Sequence, residues 1–404
     1  MSKHILFVDN EANVLQGLQG QLGSMRDEWE MVFVEGGQVA LDYIASHRVD
    51  VLVSGIGMSK RDGAQLLKSV SKQHPGIISM ELSGYSGNGG GEGASEPSQP
   101  HDPDVLISAI KRSLGIQTYL QAPALSDFVT GIPSLPGIPA VYKAFIDELS
   151  NPASTTDTVA ATIEQDAALA SSILSLANSA YFDLPAGVTG IPQAIEMLGL
   201  ETMGSLIVFT SLFSTFSDKS EQTEWVDHLG LRSMSIGSLA RDIARLEGLA
   251  SHDIDRACCA GMLLHIGTLI LISSYPEGYV RIGEMIEKRG MSIVDAEQQQ
   301  FSASHSDIGA YLLGLWGISH PVVEAVLYHH APGTETSDTF SPASAVNAAQ
   351  GLSRLIDGHV GTNFSDDEMM AALDMDHLQH VGRSDRLPVW RTHIEGVIRN
   401  KGGS

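Results

Sequence analysis

Two segments of the chain have residue types and spacing typical of phosphate chemistry, but each lacks the group that would react. Asp9 and Asn10 follow an apolar run, and Gly55 stands after a later apolar run where a carboxylate nucleophile would be expected. Farther along, Leu264-His265 takes the place of a metal-binding His-Asp pair in a helical segment. Phosphoryl transfer needs a nucleophile and a cation clamp, and metal-dependent hydrolysis needs a complete ligand set. The pattern therefore favours a protein that binds over one that catalyses.

Histidines in the second half of the chain offer another kind of chemistry. Those at ligand-like places are His265, His305, His329 and His330. Imidazole nitrogens suit Zn²⁺, Ni²⁺ or Fe²⁺, so three or four converging rings could bind one ion without a carboxylate. The alternative is that these rings hydrogen-bond helix ends in a packed interior. We expect that the rings serve packing and hydrogen bonding, and therefore that the protein holds no metal and no cofactor. The histidines His252 and His377 are predicted to lie at the surface.

Composition limits the classes of partner. The chain has 404 residues, enough for two or three domains. Its 48 acidic and 24 basic side chains give a formal charge of −24, so a nucleic-acid backbone would be repelled on average. The two cysteines, Cys258 and Cys259, are adjacent and would form a strained bridge, as suits a reducing compartment. With no signal peptide, and with the apolar run 205–213 short and interrupted, we expect a cytoplasmic protein without membrane insertion.

The first 117 residues alternate between strand-like and helix-like patterns. Strands are predicted at 5–8, 31–34, 51–53 and 77–82, and helices at 14–22, 39–44, 64–70 and 104–114. This alternation predicts an α/β fold with a parallel sheet covered by helices on both faces. The glycine-rich segment 87–97 cannot hold a stable helix and lacks the ending of a phosphate-binding loop. It is expected to be a loop.

In this layout residues 1–117 resemble a receiver domain of two-component response regulators, which has a doubly wound, flavodoxin-like fold. In that family two acids and an Asp hold Mg²⁺, that Asp accepts the phosphoryl group, and a hydroxyl and a Lys complete the switch. The resemblance places these five positions, in order, at Asp9, Asn10, Gly55, Ser83 and Gln99. It therefore implies a degenerate phosphoacceptor site in a pseudo-receiver that cannot be phosphorylated.

Two alternatives remain open for this half. Ser54 or Asp62 could accept phosphate in place of the missing acceptor. Asp9 could be a residual Mg²⁺ ligand or simply a carboxylate at a strand end. Restoring the acceptor with Gly55→Asp is expected to achieve little, because Asn10 and Gln99 would remain.

The rest of the chain is predicted to be helical. Residues 116–130 are interpreted as a connector, because they carry Pro123 and few periodic apolar positions. Beyond them, apolar residues recur at helical spacing and no alternating strand pattern competes. The predicted domains are residues 1–117, a linker at 118–127, an all-α domain at 128–335 and a helical extension packed on it at 336–404.

Residues 128–335 resemble an HDOD domain, an output module related to the HD-type phosphohydrolases. The matching segments are 132–139, 166–180, 194–199, 309–316 and the pair at 329–330. An active HD enzyme binds one or two metals through an early His, a His-Asp pair, further His residues and a distal Asp. The resemblance places Arg232 at the early His, Leu264-His265 at the pair and Gln350 at the distal Asp, while His305, His329 and His330 remain.

The implied function is a non-catalytic signal-transduction protein that binds a partner protein or ligand through its HDOD domain. The alternative is a metal-dependent phosphohydrolase with rearranged ligands, acting on a cyclic dinucleotide or nucleotide. If the former metal cavity binds a small anionic or nucleotide ligand, Arg232 is its expected anchor. The identity of the partner and the oligomeric state are not predicted.

Overall fold

The computed structural model describes most of the chain. The described residues are 2–55, 77–81, 103–120, 122–133, 135–151, 153–182, 184, 187–217, 223–334, 339–357 and 373–401, with single residues between 63 and 74. The contacts divide the chain into two compact units. The first comprises residues 1–119 with 146–154, and the second comprises 120–145 with 155–404.

The first unit contains a four-stranded parallel sheet. Its strands are β1 (Lys3–Asp9), β2 (Trp29–Glu35), β3 (Val51–Ser54) and β4 (Ile78–Glu81), in the order β2-β1-β3-β4. Along β1, Ile5 and Phe7 pack into one apolar layer while Leu6 and Val8 pack into the opposite one. A strand buried on both faces reads as a continuous apolar run, which is why β1 and β3 were predictable.

Helices cover both faces of this sheet, as predicted. They are α1 (Ala12–Gln21), α2 (Gly37–Ser46) and α3 (Pro103–Leu120). Leu18 of α1 and Ile110 of α3 join the layer of Phe7, whereas Ile44 of α2 joins the layer of Leu6. The described residues between 63 and 73 are helical too, in agreement with the helix predicted at 64–70. The predicted loop at 87–97 lies outside the described residues.

Residues 116–130, which were interpreted as a connector, are largely helical. Helix α3 continues to Leu120, and α4 spans Pro123–Thr130. Pro123 stands in the first turn of α4, where a backbone N–H has no helical partner and its absence costs nothing. Ile116 and Val129 are buried, so their apolar spacing does serve packing.

The second unit is predominantly helical, as predicted. Its further helices are α5 (Ala140–Leu149, which crosses into the first unit), α6 (Thr156–Glu164), α7 (Ala167–Ala177), α8 (Ile191–Ser217), α9 (Thr223–Leu246), α10 (Ser251–Leu263), α11 (Ile266–Ser274), α12 (Pro276–Arg289), α13 (Ile293–Phe301), α14 (His305–Leu315), α15 (His320–Tyr328), α16 (Pro342–Asp357), α17 (Met375–His380) and α18 (Leu387–Lys401). Helix α9 packs against α10 and α16, and α14 packs against α11 and α15. These contacts bring the start of α14 and the end of α15 together.

Two helical stretches are long and apolar enough to cross a membrane by length and composition. They are Ile191–Ser217 and Ser251–Ser274, and 56% and 89% of their apolar windows are buried within the fold. The core helices of folded domains have the same properties. The two stretches are therefore weak evidence for membrane insertion.

A buried carboxylate attaches the C-terminal helix to the second unit. Glu247, directly after α9, accepts hydrogen bonds from Trp390 Nε1 and Arg386 Nε at 2.8 Å each, and pairs with Arg383 Nε at 2.7 Å. The Glu247 side chain is 2% exposed, and Trp390 is fully buried. The cationic partners neutralise a charge that burial would otherwise disfavour.

Candidate functional site

Three of the predicted histidines converge in the second unit. His305 is the first residue of α14, and His329 and His330 follow directly after α15. The Nε2 atom of His305 lies 3.3 Å from His329 Nε2 and 3.0 Å from His330 Nε2. One ligand nitrogen from each ring lies within 4.8 Å of the others. His305 and His329 are buried and His330 is half-buried, so the cluster lies at the edge of the core.

Local structure fixes the position of His305. Ser304 caps α14 through a capping box, in which Asp307 N donates to Ser304 Oγ and Ser304 N donates to the Asp307 carboxylate. Gly267 of α11 lies directly against the His305 backbone, where an added Cβ would stand 1.9 Å from the His305 carbonyl oxygen. The glycine two residues after Leu264-His265 thus permits α11 to touch the start of α14.

Glu297 is the residue of this site that the sequence did not indicate. It lies on α13 and is fully buried. One of its carboxylate oxygens is 2.6 Å from His305 Nδ1 and also accepts the His305 backbone N–H at 2.8 Å. The other oxygen accepts the Tyr279 hydroxyl at 2.7 Å. Burial alone would raise the pKa of Glu297, but the charge and hydrogen bonds of His305 outweigh it and hold the pKa below its usual value.

The hydrogen bonds determine which ring nitrogens carry protons. His329 Nδ1 lies 2.7 Å from the Val326 carbonyl oxygen, which can only accept, so this nitrogen is the donor. Glu297 is a carboxylate and likewise accepts a hydrogen bond from His305 Nδ1. Burial, together with the charge of His305, lowers the pKa of His329 to about 3, so its ring is neutral near pH 7. Its Nε2 therefore presents a lone pair to the cluster.

His265 lies near the cluster but is not part of the converging group. Its Nδ1 is 2.9 Å from Ser233 Oγ, whose own hydrogen goes to the Leu229 carbonyl at 2.9 Å. His265 Nδ1 is therefore the donor in this pair. Burial, then the charge of Arg232, keep the pKa of His265 well below its usual value. Leu264 beside it is fully buried and offers no ligand.

On α16 it is Asn347, and not Gln350, that contacts the cluster. Asn347 Nδ2 donates to the His329 carbonyl at 2.9 Å, and its Oδ1 accepts from Asp374 N at 3.0 Å. The hydrogen bond at Gln350 uses its backbone carbonyl, which accepts from Ser353. An amide side chain thus links the cluster to the segment that precedes α17.

The prediction that His377 lies at the surface is wrong. The residue is 3% exposed, and its Nε2 lies 2.7 Å from Ser344 Oγ of α16. Helix α17 therefore turns this histidine inward, whereas His252 is half-buried beside Asp253.

In the first unit, Asp9 ends β1 and Gly55 directly follows the adjacent strand β3. Asp9 is fully buried, and its Oδ1 accepts from Glu11 N at 2.8 Å. A Cβ at position 55 would lie 1.8 Å from Asp9 Oδ2, so the Asp9 carboxylate fills the space of any side chain there. Asn10 is exposed and Ser54 is fully buried. The other predicted positions, Ser83, Gln99 and Asp62, lie outside the described residues.

Comparisons with known proteins match part of the chain. Residues 135–332 match the HDOD domain model. The crystal structure of an HDOD domain protein of unknown function from Geobacter sulfurreducens has a TM-score of 0.55 at 20% identity, covering 70% of this chain and 96% of that one. A candidate phosphohydrolase from Shewanella amazonensis gives 0.51 at 20% identity, covering 69% and 97%. At these identities the two structures support the fold alone.

A curated relative also matches part of the chain. An uncharacterised protein of Treponema pallidum is 25% identical over 232 residues, which are 57% of this chain and 44% of the relative. This chain therefore spans less than half the length of that protein.

Proposed function

Because residues 135–332 form an HDOD domain, we propose that this chain is a non-catalytic signal-transduction protein that binds a partner protein or ligand through that domain. One observation carries the proposal. Among the described residues, the ligand group that converges consists of three imidazoles without a carboxylate. The buried carboxylate nearby, Glu297, is engaged by His305 Nδ1 and the Tyr279 hydroxyl.

A binuclear hydrolytic centre does not fit these side chains. Leu264 provides no ligand, His265 is hydrogen-bonded to Ser233, and Gln350 has an amide where a carboxylate would be needed. A carboxylate between two cations balances their charge and fixes their separation. Activation of water by a pair of ions therefore has no part in the proposed function.

We further propose that residues 1–117 are a flavodoxin-like, receiver-type domain that no longer accepts a phosphoryl group. The parallel strand order β2-β1-β3-β4 supports this, because it brings Asp9 and Gly55 to the same edge of the sheet. The Asp9 carboxylate lies where an acceptor side chain would stand. This half would then act by binding, in a cytoplasmic protein without nucleic-acid or membrane partners.

Affinity capture from the native cell, with the tagged full-length chain as bait, tests the proposal. We expect a protein partner or a small anionic ligand to be retained in a fixed ratio to the bait and to be absent with the tag alone. Acetyl phosphate and Mg²⁺ should leave the captured amount unchanged. If bait and tag retain the same material, or if acetyl phosphate controls capture, the proposal is wrong.

A second candidate is a metal-dependent phosphohydrolase with rearranged ligands. The observation that favours it is His305, held by the buried Glu297 beside His329 and His330, since three histidines with an orienting carboxylate also occur in catalytic zinc sites. Incubation with cyclic di-GMP or generic phosphoesters and Mn²⁺, Fe²⁺ or Ni²⁺ separates the candidates. Turnover that disappears in a His305→Ala/His329→Ala variant would establish the second.

A further inference from the structure

Two of the three spacings between the imidazoles match the coordination sphere of a single ion. Two nitrogens that each lie about 2.0–2.1 Å from a tetrahedral Zn²⁺ are about 3.3 Å apart. The Nε2 atoms of His305 and His329 are 3.3 Å apart, and those of His305 and His330 are 3.0 Å apart. One nitrogen of each ring lies within 4.8 Å of the others, so a small rotation of the His329 and His330 rings would bring all three around one cation.

The hydrogen bonds on the outer side of two rings direct their Nε2 atoms to one place. His305 Nδ1 donates to Glu297, and His329 Nδ1 donates to the Val326 carbonyl. The Nε2 atoms of both rings therefore face each other at the centre of the cluster, and His330 Nε2 lies there as well. A divalent cation at this centre could coordinate all three nitrogens at once.

We propose that His305, His329 and His330 form a mononuclear site for one divalent cation of the zinc class, which stabilises the domain and does not depend on a second metal. Imidazole is a preferred ligand of Zn²⁺, Ni²⁺ and Cu²⁺. This site differs from a binuclear HD centre, because Leu264, His265 and Gln350 take no part in it. It is also independent of whether the HDOD domain binds a partner.

The groups that accept hydrogen bonds from the ligand rings are arranged as in known metal sites. A metal-bound histidine usually donates its other ring N–H to a carboxylate or a backbone carbonyl. Glu297 and the Val326 carbonyl supply these two acceptors, and Tyr279 holds the second oxygen of Glu297. The Glu297 carboxylate also brings one negative charge to offset the cation. In turn, the cation would compensate the negative charge of this buried side chain.

The two cysteines are poorly suited to compete for the cation. Cys258 and Cys259 are both buried, and burial raises the pKa of Cys258 to about 11 and that of Cys259 well above its usual value. A thiol must lose its proton to bind zinc. Loss of binding in variants of the cluster histidines is therefore the observation that assigns a bound ion to the histidine site.

The test uses the full-length chain after removal of its affinity tag and of metal by chelation. Zn²⁺ binding is measured by isothermal titration calorimetry, Co²⁺ binding by its visible spectrum, and stability by thermal melting with and without Zn²⁺. We expect one ion per chain, a tetrahedral Co²⁺ spectrum and a higher melting temperature with Zn²⁺. His305→Ala and His329→Ala should abolish all three effects.

Three further variants keep the test informative. His252→Ala removes a half-buried histidine outside the cluster and should leave binding unchanged. Glu297→Gln retains every ligand nitrogen but should weaken binding about 10- to 100-fold, because the orienting charge is lost. If the two buried histidine variants fail to fold, the half-buried His330→Gln replaces them, since it removes a ligand at the edge of the core.

The results separate this proposal from the proposed function. Absence of stoichiometric binding, or binding that survives loss of His305 and His329, would overturn the metal site and leave the partner-binding function intact. Binding without hydrolysis supports both. Binding with hydrolysis supports the site and overturns the non-catalytic function.

Discussion

The carboxylate of Asp9 lies in the space that a side chain at position 55 would need. Its Oδ2 is 1.8 Å from the position of a Cβ on Gly55, and Asp9 itself is fully buried at the end of β1. A side chain at position 55 would therefore overlap the Asp9 carboxylate. In the proposed receiver-type domain, an aspartate introduced at position 55 meets a steric barrier in addition to the missing neighbouring groups.

We predict that Gly55→Asp will lower the free energy of unfolding by about 1–3 kcal/mol, because the new side chain overpacks the strand end. Acetyl phosphate with Mg²⁺ should produce no phosphorylated species by intact mass spectrometry. Gly55→Ala should lose similar stability in urea denaturation, since it adds the same Cβ.

The matched control for this prediction is Gly17→Ala in α1, where an added Cβ meets nothing within 4 Å. This variant should gain about 0.5–1 kcal/mol from helix propensity. A Gly55→Asp protein that is as stable as the parent and becomes phosphorylated would show that Asp9 can move aside.

Glu297 illustrates what sequence patterns cannot reveal about a site. It is followed by three glutamines at 298–300, so the segment resembles a solvated helix face. Its burial arises from the packing of α12 on α13, which brings Tyr279 to one oxygen, and from the start of α14, which places His305 at the other. The three histidines were predictable from a family resemblance, whereas their orienting carboxylate depended on a tertiary contact.

At the scale of elements, α18 is held by one carboxylate at the end of α9. We predict that Glu247→Ala will cost about 1–3 kcal/mol, because the buried Trp390 Nε1 and the two arginines lose their acceptor. Hydrogen exchange in α18 should accelerate before the rest of the unit unfolds.

A suitable comparison for this helix is Glu395→Ala, which removes an exposed ion pair with Arg391. Such surface pairs contribute about 0–1 kcal/mol. If exchange in α18 responds equally to both substitutions, Glu247 is not the residue that attaches the helix.

Helix α17 provides a pH-dependent contribution to stability. Burial lowers the pKa of His377, partly offset by Asp374, while His380 lowers it further. The unfolded chain therefore takes up this proton first as pH falls. The stabilisation is present above the unfolded pKa of about 6.5 and declines as pH falls toward the folded pKa.

Substitution His377→Gln should consequently reduce the loss of stability between pH 7 and pH 5. Urea denaturation of both proteins in the presence of a chelator measures this difference. The pH-dependent contribution of the cluster histidines is the same in both proteins and therefore cancels in the comparison. Identical pH profiles would mean that His377 becomes protonated without cost in the folded state.

Across the whole molecule, the regular elements were more predictable than the junction between the two halves. The buried strands β1 and β3 of the first unit read as apolar runs, and apolar residues at helical spacing indicated the helical character of the second. At 116–130 the helices were not recognised, because Pro123 was taken as a feature of a connector although it starts α4. His377 was misplaced for a related reason, since its burial depends on how α17 packs on α16.

The claim that this protein binds and does not hydrolyse is tested most directly by a single-turnover assay. The full-length chain, supplied in turn with Zn²⁺, Mn²⁺, Fe²⁺ or Ni²⁺, is held in molar excess over cyclic di-GMP, with an active HD-type phosphodiesterase as positive control. Chromatography of the quenched samples should recover the cyclic dinucleotide intact with every metal. Formation of the linear dinucleotide, lost in the His305→Ala/His329→Ala variant, would contradict the non-catalytic function.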